Sequence, residues 1–434
     1  QVGSFSTTQL VGLLPAQVVA LQTSHVAALS SRQIAALEPS QIAQLETGDF
    51  AALKTSQIPV FSVDQLDRFG TDDIVALGTA QIASLSTTQV AALTLAQMRA
   101  LETADVAALK TAQIAAIAED RIPAFGTDDM RALLPAQVAG FSTTQVAALS
   151  TAQIAALTTA SIAALSSRQV AVLDAAKITA LETSAFAAMK SSQLAAISAD
   201  ALAGFGTQDI IALGTSQIPA LGTEQIVALT SAHIRALGTE DILALSTKQL
   251  LALTPDLMAG LETDDIAAMK TAQIAGFDPA QIAGLTTASI AALSTAQVVA
   301  LKSGQVAQLT SGQIRALETA DFAAMKSAQI AALDADRIGW MLSEDIAALN
   351  ATQVKALSTD QIGALTTDKI RALDTEDFAA LGSVQIAVLT TAQLAALATE
   401  DFVALKSTQL ASIAAEKMVA LGTDDIKALS TAQI

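Results

Sequence analysis

Cysteine and tyrosine are missing from the sequence, tryptophan occurs once, and aromatic residues make up only 3% of it. Without cysteine there is neither a disulfide nor a thiolate metal site, and cysteine usage leaves the redox compartment open. No apolar run approaches the ~18 residues of a membrane-spanning helix, because polar residues return every few positions. Positive charge is scarce as well: 23 Lys and Arg stand against 41 Asp and Glu, for a net charge of −18. A chain so acidic lacks the basic face that nucleic acid requires, and it is repelled by an anionic membrane surface. Gln1 is not preceded by a Met or a basic stretch, so no signal peptide is expected within these residues. The last repeat stops after six residues, as in a segment of a longer chain.

What is present is one pattern, repeated. From Phe5 to Leu429 every eighth residue is Leu, Phe, Met or Ile, giving 54 octads without insertion or deletion. Numbered from that residue, the consensus is L-x-T-x-Q-I-A-A. Position 6 is always Ile, Val, Leu, Phe or Met, and all 12 Phe residues fall at position 1 or 6. A continuous helix cannot carry this pattern, since its apolar stripe drifts by about 80° per octad. A continuous strand would send positions 1 and 6 to opposite faces. The chain must therefore turn once per octad.

Between turns the residues favour a short helix. Ala, Leu, Gln, Met, Glu and Lys are good helix formers. Position 2 is Ser, Thr, Gly, Asp or Asn in 34 octads, which is the N-cap set. Position 5 holds Gln in 30 octads and Asp in 12, and Ser/Thr-x-x-Gln is a capping box. Pro15, Pro39, Pro135, Pro255 and Pro279 occupy position 3, the first helical residue, where proline fits. Pro59, Pro123 and Pro219 fall at position 7, where a helix of one or two turns is already ending. Glycines cluster at positions 2 and 8, where turns are expected. Such a helix is too short to persist alone and needs neighbours to cover positions 1 and 6. The fold expected is all-α: one continuous solenoid over residues 1–434, with one very short helix per octad. A β-solenoid with eight-residue edges is the alternative.

Charge adds a second period. Asp49, Asp73, Asp105, Asp129, Asp209, Asp241, Asp265, Asp321, Asp345, Asp377, Asp401 and Asp425 all occupy position 5. Their spacings are sums of three and four octads, so a superhelix of about 3.4 octads, or about 27 residues, per turn brings them near one line. With turns stacked at a helix-packing distance, such an array makes a rod of roughly 130–160 Å. Five Glu/Lys pairs at position 2 of successive octads (Glu46/Lys54, Glu102/Lys110, Glu182/Lys190, Glu262/Lys270, Glu318/Lys326) are expected to lie near each other and set register.

Catalytic constellations are not found. His25 and His233 each replace Gln at position 5 and lie 26 octads apart, too far to share a metal. Serines and threonines sit at capping positions without a neighbouring base. Paired acids such as Asp72/Asp73 and Asp424/Asp425 suit helix N-termini, with Ca²⁺ as a weaker reading and no other cofactor. Trp340 is a bulky residue at a usually small position.

Octads such as "LTTASIAA" and "LSTAQIAA" resemble octapeptide arrays of large repetitive bacterial proteins often labelled haem-utilisation or adhesion proteins. The resemblance implies a bacterial, secreted or cell-surface location, and no haem-ligand pattern accompanies it. "LTPDLMAG" and "LLPAQVAG" are similar to the opening helix of the TAL-effector repeat, but the base-reading loop and the basic residues are absent. The expectation is a non-enzymatic stalk, spacer or filament subunit that self-associates end to end or laterally, with no nucleic acid bound and no membrane insertion. The alternative is a binding module whose acidic line docks a basic protein, Ca²⁺ or a glycan.

Overall fold

The computed structural model describes residues 2–434. Among them are 48 α-helices of four to six residues and six 3₁₀ segments, one element in every complete octad with Val2–Ser4 preceding the first, and no strand. The all-α reading holds and the β-solenoid is excluded. The chain forms two bodies, one ending at Leu221 and the other spanning Gly222–Ile434. The same octad architecture builds each.

Each octad is six helical or near-helical residues followed by two extended ones. In the octad Leu149–Ala156, Ser150 is the N-cap (φ −73°, ψ 162°), the helix is Thr151–Ala156, and Leu157 ends it in an extended conformation (φ −66°, ψ 137°). Position 2 is thus the cap and position 3 the first helical residue. The five position-3 prolines occupy that first helical residue. The three position-7 prolines lie in 3₁₀ segments, Ile58–Val60, Glu119–Ala124 and Ile218–Ala220, rather than in an α-helix, whose i→i−4 bond proline cannot donate.

The turn does not need glycine. Among the described residues none has a positive φ, so the position-2 glycines serve as plain caps, corrected from the turn role read in the sequence. Some position-8 glycines answer to a different constraint, close approach. A Cβ on Gly204 would lie 2.3 Å from the Ala175 carbonyl oxygen, and one on Gly284 would lie 2.4 Å from that of Pro255. The end of one helix there touches the first turn of another, 29 residues earlier.

Helices pack against the third neighbour along the chain, as Pro135–Val138 does on Thr159–Ala164 and Thr375–Ala380 on Thr399–Ala404. Positions 1 and 6 point into the core: Ile154, Val170 and Phe322 are fully buried. Each such side chain contributes roughly 1.5–3 kcal/mol of burial, which offsets the unfavourable nucleation of a one-turn helix. Phe50, Phe61 and Phe69 form an aromatic cluster, with ring centroids 4.5 and 5.1 Å apart; Phe186 and Phe205 form a pair at 4.6 Å. No helix among the described residues is long and apolar enough to cross a membrane.

Candidate functional site

A six-residue helix leaves most of its backbone groups without an intrahelical partner. Position 5 supplies the missing partners. In the octad of Gln153, the Ser150 N–H donates to Gln153 Oε1 (2.9 Å). The Gln153 Nε2 amide donates to the carbonyls of Ile122 (3.0 Å) and Phe125 (2.9 Å), 31 and 28 residues earlier. Those carbonyls lie at the C-terminal end of a segment one superhelical turn away. One buried side chain therefore closes the start of its own helix and the end of another.

The arrangement recurs through both bodies. Gln65, Gln89, Gln145 and Gln193 repeat it in the first, and Gln281, Gln305, Gln329 and Gln409 in the second. It holds even where position 2 has no acceptor side chain: the N–H groups of Leu134 and Gly78 still donate to Gln137 and Gln81. Basic residues and histidine at position 5 keep one half of the work. Arg337 and Lys417 donate to the carbonyls of Leu309 (3.0 Å) and Ala387 (2.8 Å), and buried Lys369 donates to that of Gly339. Burial lowers the Lys369 pKa, with the charge of Arg315 acting in the same direction. His25 and His233 use Nδ1 to accept from the position-2 N–H (3.2 and 3.3 Å), so both histidines are caps.

The sequence suggested Gln as a capping residue but concealed its amide role. The available signal was an omission: capping boxes accept Glu as readily as Gln, yet Glu never occupies position 5. A carboxylate has no proton for the distant carbonyls.

Asp at position 5 follows another scheme. In all twelve octads a carboxylate oxygen accepts the position-2 N–H at 2.8–3.2 Å. In seven, Asp73, Asp129, Asp209, Asp265, Asp345, Asp401 and Asp425, the second oxygen accepts a threonine hydroxyl 26 residues earlier, at 2.6–3.2 Å. These bonds span three octads, which gives the three-octad spacing of the acids a physical cause. Together with the Gln bonds, contacts of 25–31 residues bracket the period near 27.

The acidic positions are directed inward. Asp49, Asp105, Asp265, Asp321, Asp345, Asp377 and Asp401 are buried, and Asp73, Asp129, Asp209, Asp241 and Asp425 are half-buried. Among the described residues no three His, Asp or Glu side chains come together in a metal-binding group. The five Glu/Lys pairs do not meet. Most of the ion pairs are local, such as Lys177–Asp174 (2.8 Å) and Arg131–Asp128 (2.8 Å), while Glu262 pairs with Arg235 (4.0 Å), 27 residues earlier, rather than with Lys270. Consecutive helices are not packing partners, so neighbours in sequence are not neighbours in space. Arg337 lies over the half-buried Trp340 ring, 5.5 Å from its centroid.

The ALTTAQ repeat family model matches residues 15–47, 42–76, 68–103, 122–159, 186–223, 218–255, 258–294, 278–311, 314–344, 341–375 and 370–407. The chain belongs to the ALTTAQ repeat family. The six letters of that name correspond to positions 8 and 1 to 5 of the octad, "ALTTAS" at 156–161 being an example, and they end on the bridging position. A comparison with curated proteins gives no match.

Proposed function

We propose that this ALTTAQ repeat chain is a non-enzymatic structural element: a stiff rod, stalk or filament segment of a bacterial surface or secreted protein. The carrying observation is the position-5 ladder. The side chain best placed to bind something is consumed in joining one turn of the array to the next. The serines and threonines of positions 2 and 3 are used in the same way, as caps and as hydroxyl donors to the adjacent turn. Chemistry of this kind builds a scaffold and leaves no nucleophile beside a base. Self-association, end to end or lateral, extends such a scaffold into fibres. The acidic-line reading, in which a basic protein, Ca²⁺ or a glycan binds, has less support because those carboxylates are turned inward and hydrogen-bonded.

Electron microscopy of the purified chain tests the proposal. Rods or fibres with a repeat of one helix thickness are expected, and a globular particle with a deep cleft would overturn it. Surface labelling of intact bacteria carrying the protein tests the location, a protected chain being the adverse result.

A further inference from the structure

Four helices carry Asp as the N-cap, and they differ in what faces it from position 5. Beside Asp174 stands Lys177, beside Asp278 Gln281, and beside Asp334 Arg337. Lys177 and Arg337 put a positive charge next to the cap, and Gln281 a neutral amide whose Oε1 accepts the Asp278 N–H (2.9 Å); Lys177 Nζ is 2.8 Å from Asp174, and its hydrogen bonds hold that carboxyl below its usual range. Beside Asp374 stands Asp377. There the backbone bonds are reciprocal, the Asp377 N–H donating to Asp374 Oδ1 (2.9 Å) and the Asp374 N–H to Asp377 Oδ2 (3.1 Å). The two carboxyl groups are thereby set side by side across one cap. Asp374 is exposed, whereas Asp377 is only 2% exposed. From the same cap the Thr375 hydroxyl donates to buried Asp401 on the next turn (3.2 Å), and the Thr399 hydroxyl donates to Asp425 on the turn after (2.6 Å).

We propose that Asp374, Asp377 and Asp401 form an acid-stabilised clasp, in which a proton on the buried Asp377 carboxyl, facing the Asp374 cap, holds helix Thr375–Ala380 onto Thr399–Ala404 and its loss loosens this part of the array.

The surrounding charge favours holding that proton. Thr375–Ala380 packs against Ala351–Lys355 and Thr399–Ala404. The first contributes Lys355, exposed at its far end; the second contributes Glu400 and Asp401. Along the chain, the preceding helix Thr367–Ala372 carries Asp368, Lys369 and Arg371. Its cations are engaged elsewhere, Arg371 with Asp368 (3.1 Å) and Lys369 with the Gly339 carbonyl. The following helix Ser383–Ala387 carries no charge. Burial, followed by the charges of Asp374 and Glu376, pushes the Asp377 carboxyl up to about 6 against the opposing Asp374 N–H bond. Burial raises Asp401 as well. The folded state therefore retains a proton that the unfolded chain releases near 3.8. The clasp is fully made below that pH and is lost as pH rises through about 6.

Peptide-resolved hydrogen exchange of the whole chain, corrected for the intrinsic chemical rate, tests this between pH 5 and 7.5. Opening of Thr375–Ala380 and Thr399–Ala404 is expected to increase at least about tenfold over that range, each unit of pKa shift being worth one factor of ten. Helix Thr143–Ala148, with Gln145 at position 5, is the internal control and stays flat. Asp377→Asn replaces the carboxyl with a neutral group of the same shape and flattens the profile. Asp374→Ser, which retains a cap oxygen and removes the facing charge, also reduces the rise, and it serves if the Asn variant opens at every pH. An equal profile in the clasp and the control, or an undiminished rise in both variants, would overturn the proposal.

Discussion

Helices Thr143–Ala148 and Thr319–Ala324 have the same length, an extended cap residue and a buried position 6, and differ at the cap side chain, Ser142 against Glu318, and at position 5. In the first, Gln145 donates to two carbonyls of another turn, Ile114 (3.0 Å) and Ile117 (2.6 Å). In the second, Asp321 accepts the Glu318 N–H (3.1 Å) and carries no amide N–H to offer. The backbone is indifferent to the exchange, but the direction of hydrogen bonding is not. Where the array carries Gln, the later octad supplies the donor that closes an earlier turn. Where it carries Asp, an earlier threonine must supply the donor, or that link is missing.

The largest expected effect comes from breaking the Gln side of this contrast. Gln305 is buried, accepts from the Lys302 N–H (2.6 Å) and donates to Ile274 (3.0 Å) and Phe277 (2.8 Å). Gln305→Leu leaves buried polar groups unpaired and should cost about 3 kcal/mol of local stability. Hydrogen exchange in Ser303–Val306 and Thr271–Ile274 measures it, and a loss below about 1 kcal/mol would remove the ladder's claimed role.

Asp321→Gln sharpens the contrast from the other side. It restores a donor toward Ile290 and Leu293, the carbonyls 31 and 28 residues earlier, and should stabilise by about 1 kcal/mol at neutral pH. The same change at Asp345 should be nearly neutral, within about 0.5 kcal/mol, because it forfeits the Thr319 hydroxyl bond (2.9 Å). Thermal unfolding of the two variants side by side tests whether the threonine bond explains the three-octad spacing. Smallest of all is Lys110→Ala. Since Lys110 does not pair with Glu102, a shift under about 0.5 kcal/mol is expected, and a larger one would restore the register role read from the sequence.

Much of this fold was legible in the residues. Apolar positions 1 and 6, cap residues at position 2 and prolines at position 3 are local signals, and each predicted its element. The ladder was not legible because its acceptors are backbone carbonyls 28 to 31 residues away, which leave no mark on the side-chain pattern. The acidic period was visible, but its direction was not: a spacing reveals which residues share a side and cannot say whether that side faces solvent or a neighbouring turn. The Glu/Lys pairs fail for a related reason: octads adjacent along the chain are not adjacent in space. Glycine misled because it serves as a cap at one position and as a gap for a passing backbone at another.

The turn-to-turn bonds are all counted from the residue that makes them, a fixed number of octads back. A duplication or deletion of eight residues moves every later donor together with its acceptor, so the new junction is as well joined as the old. Loss or gain of a single residue instead puts the amides of the next turn, whose acceptors lie before the break, opposite the wrong group. Length is therefore free to vary in whole steps, and a gene for such a chain can be recombined almost anywhere that the reading stays in eights.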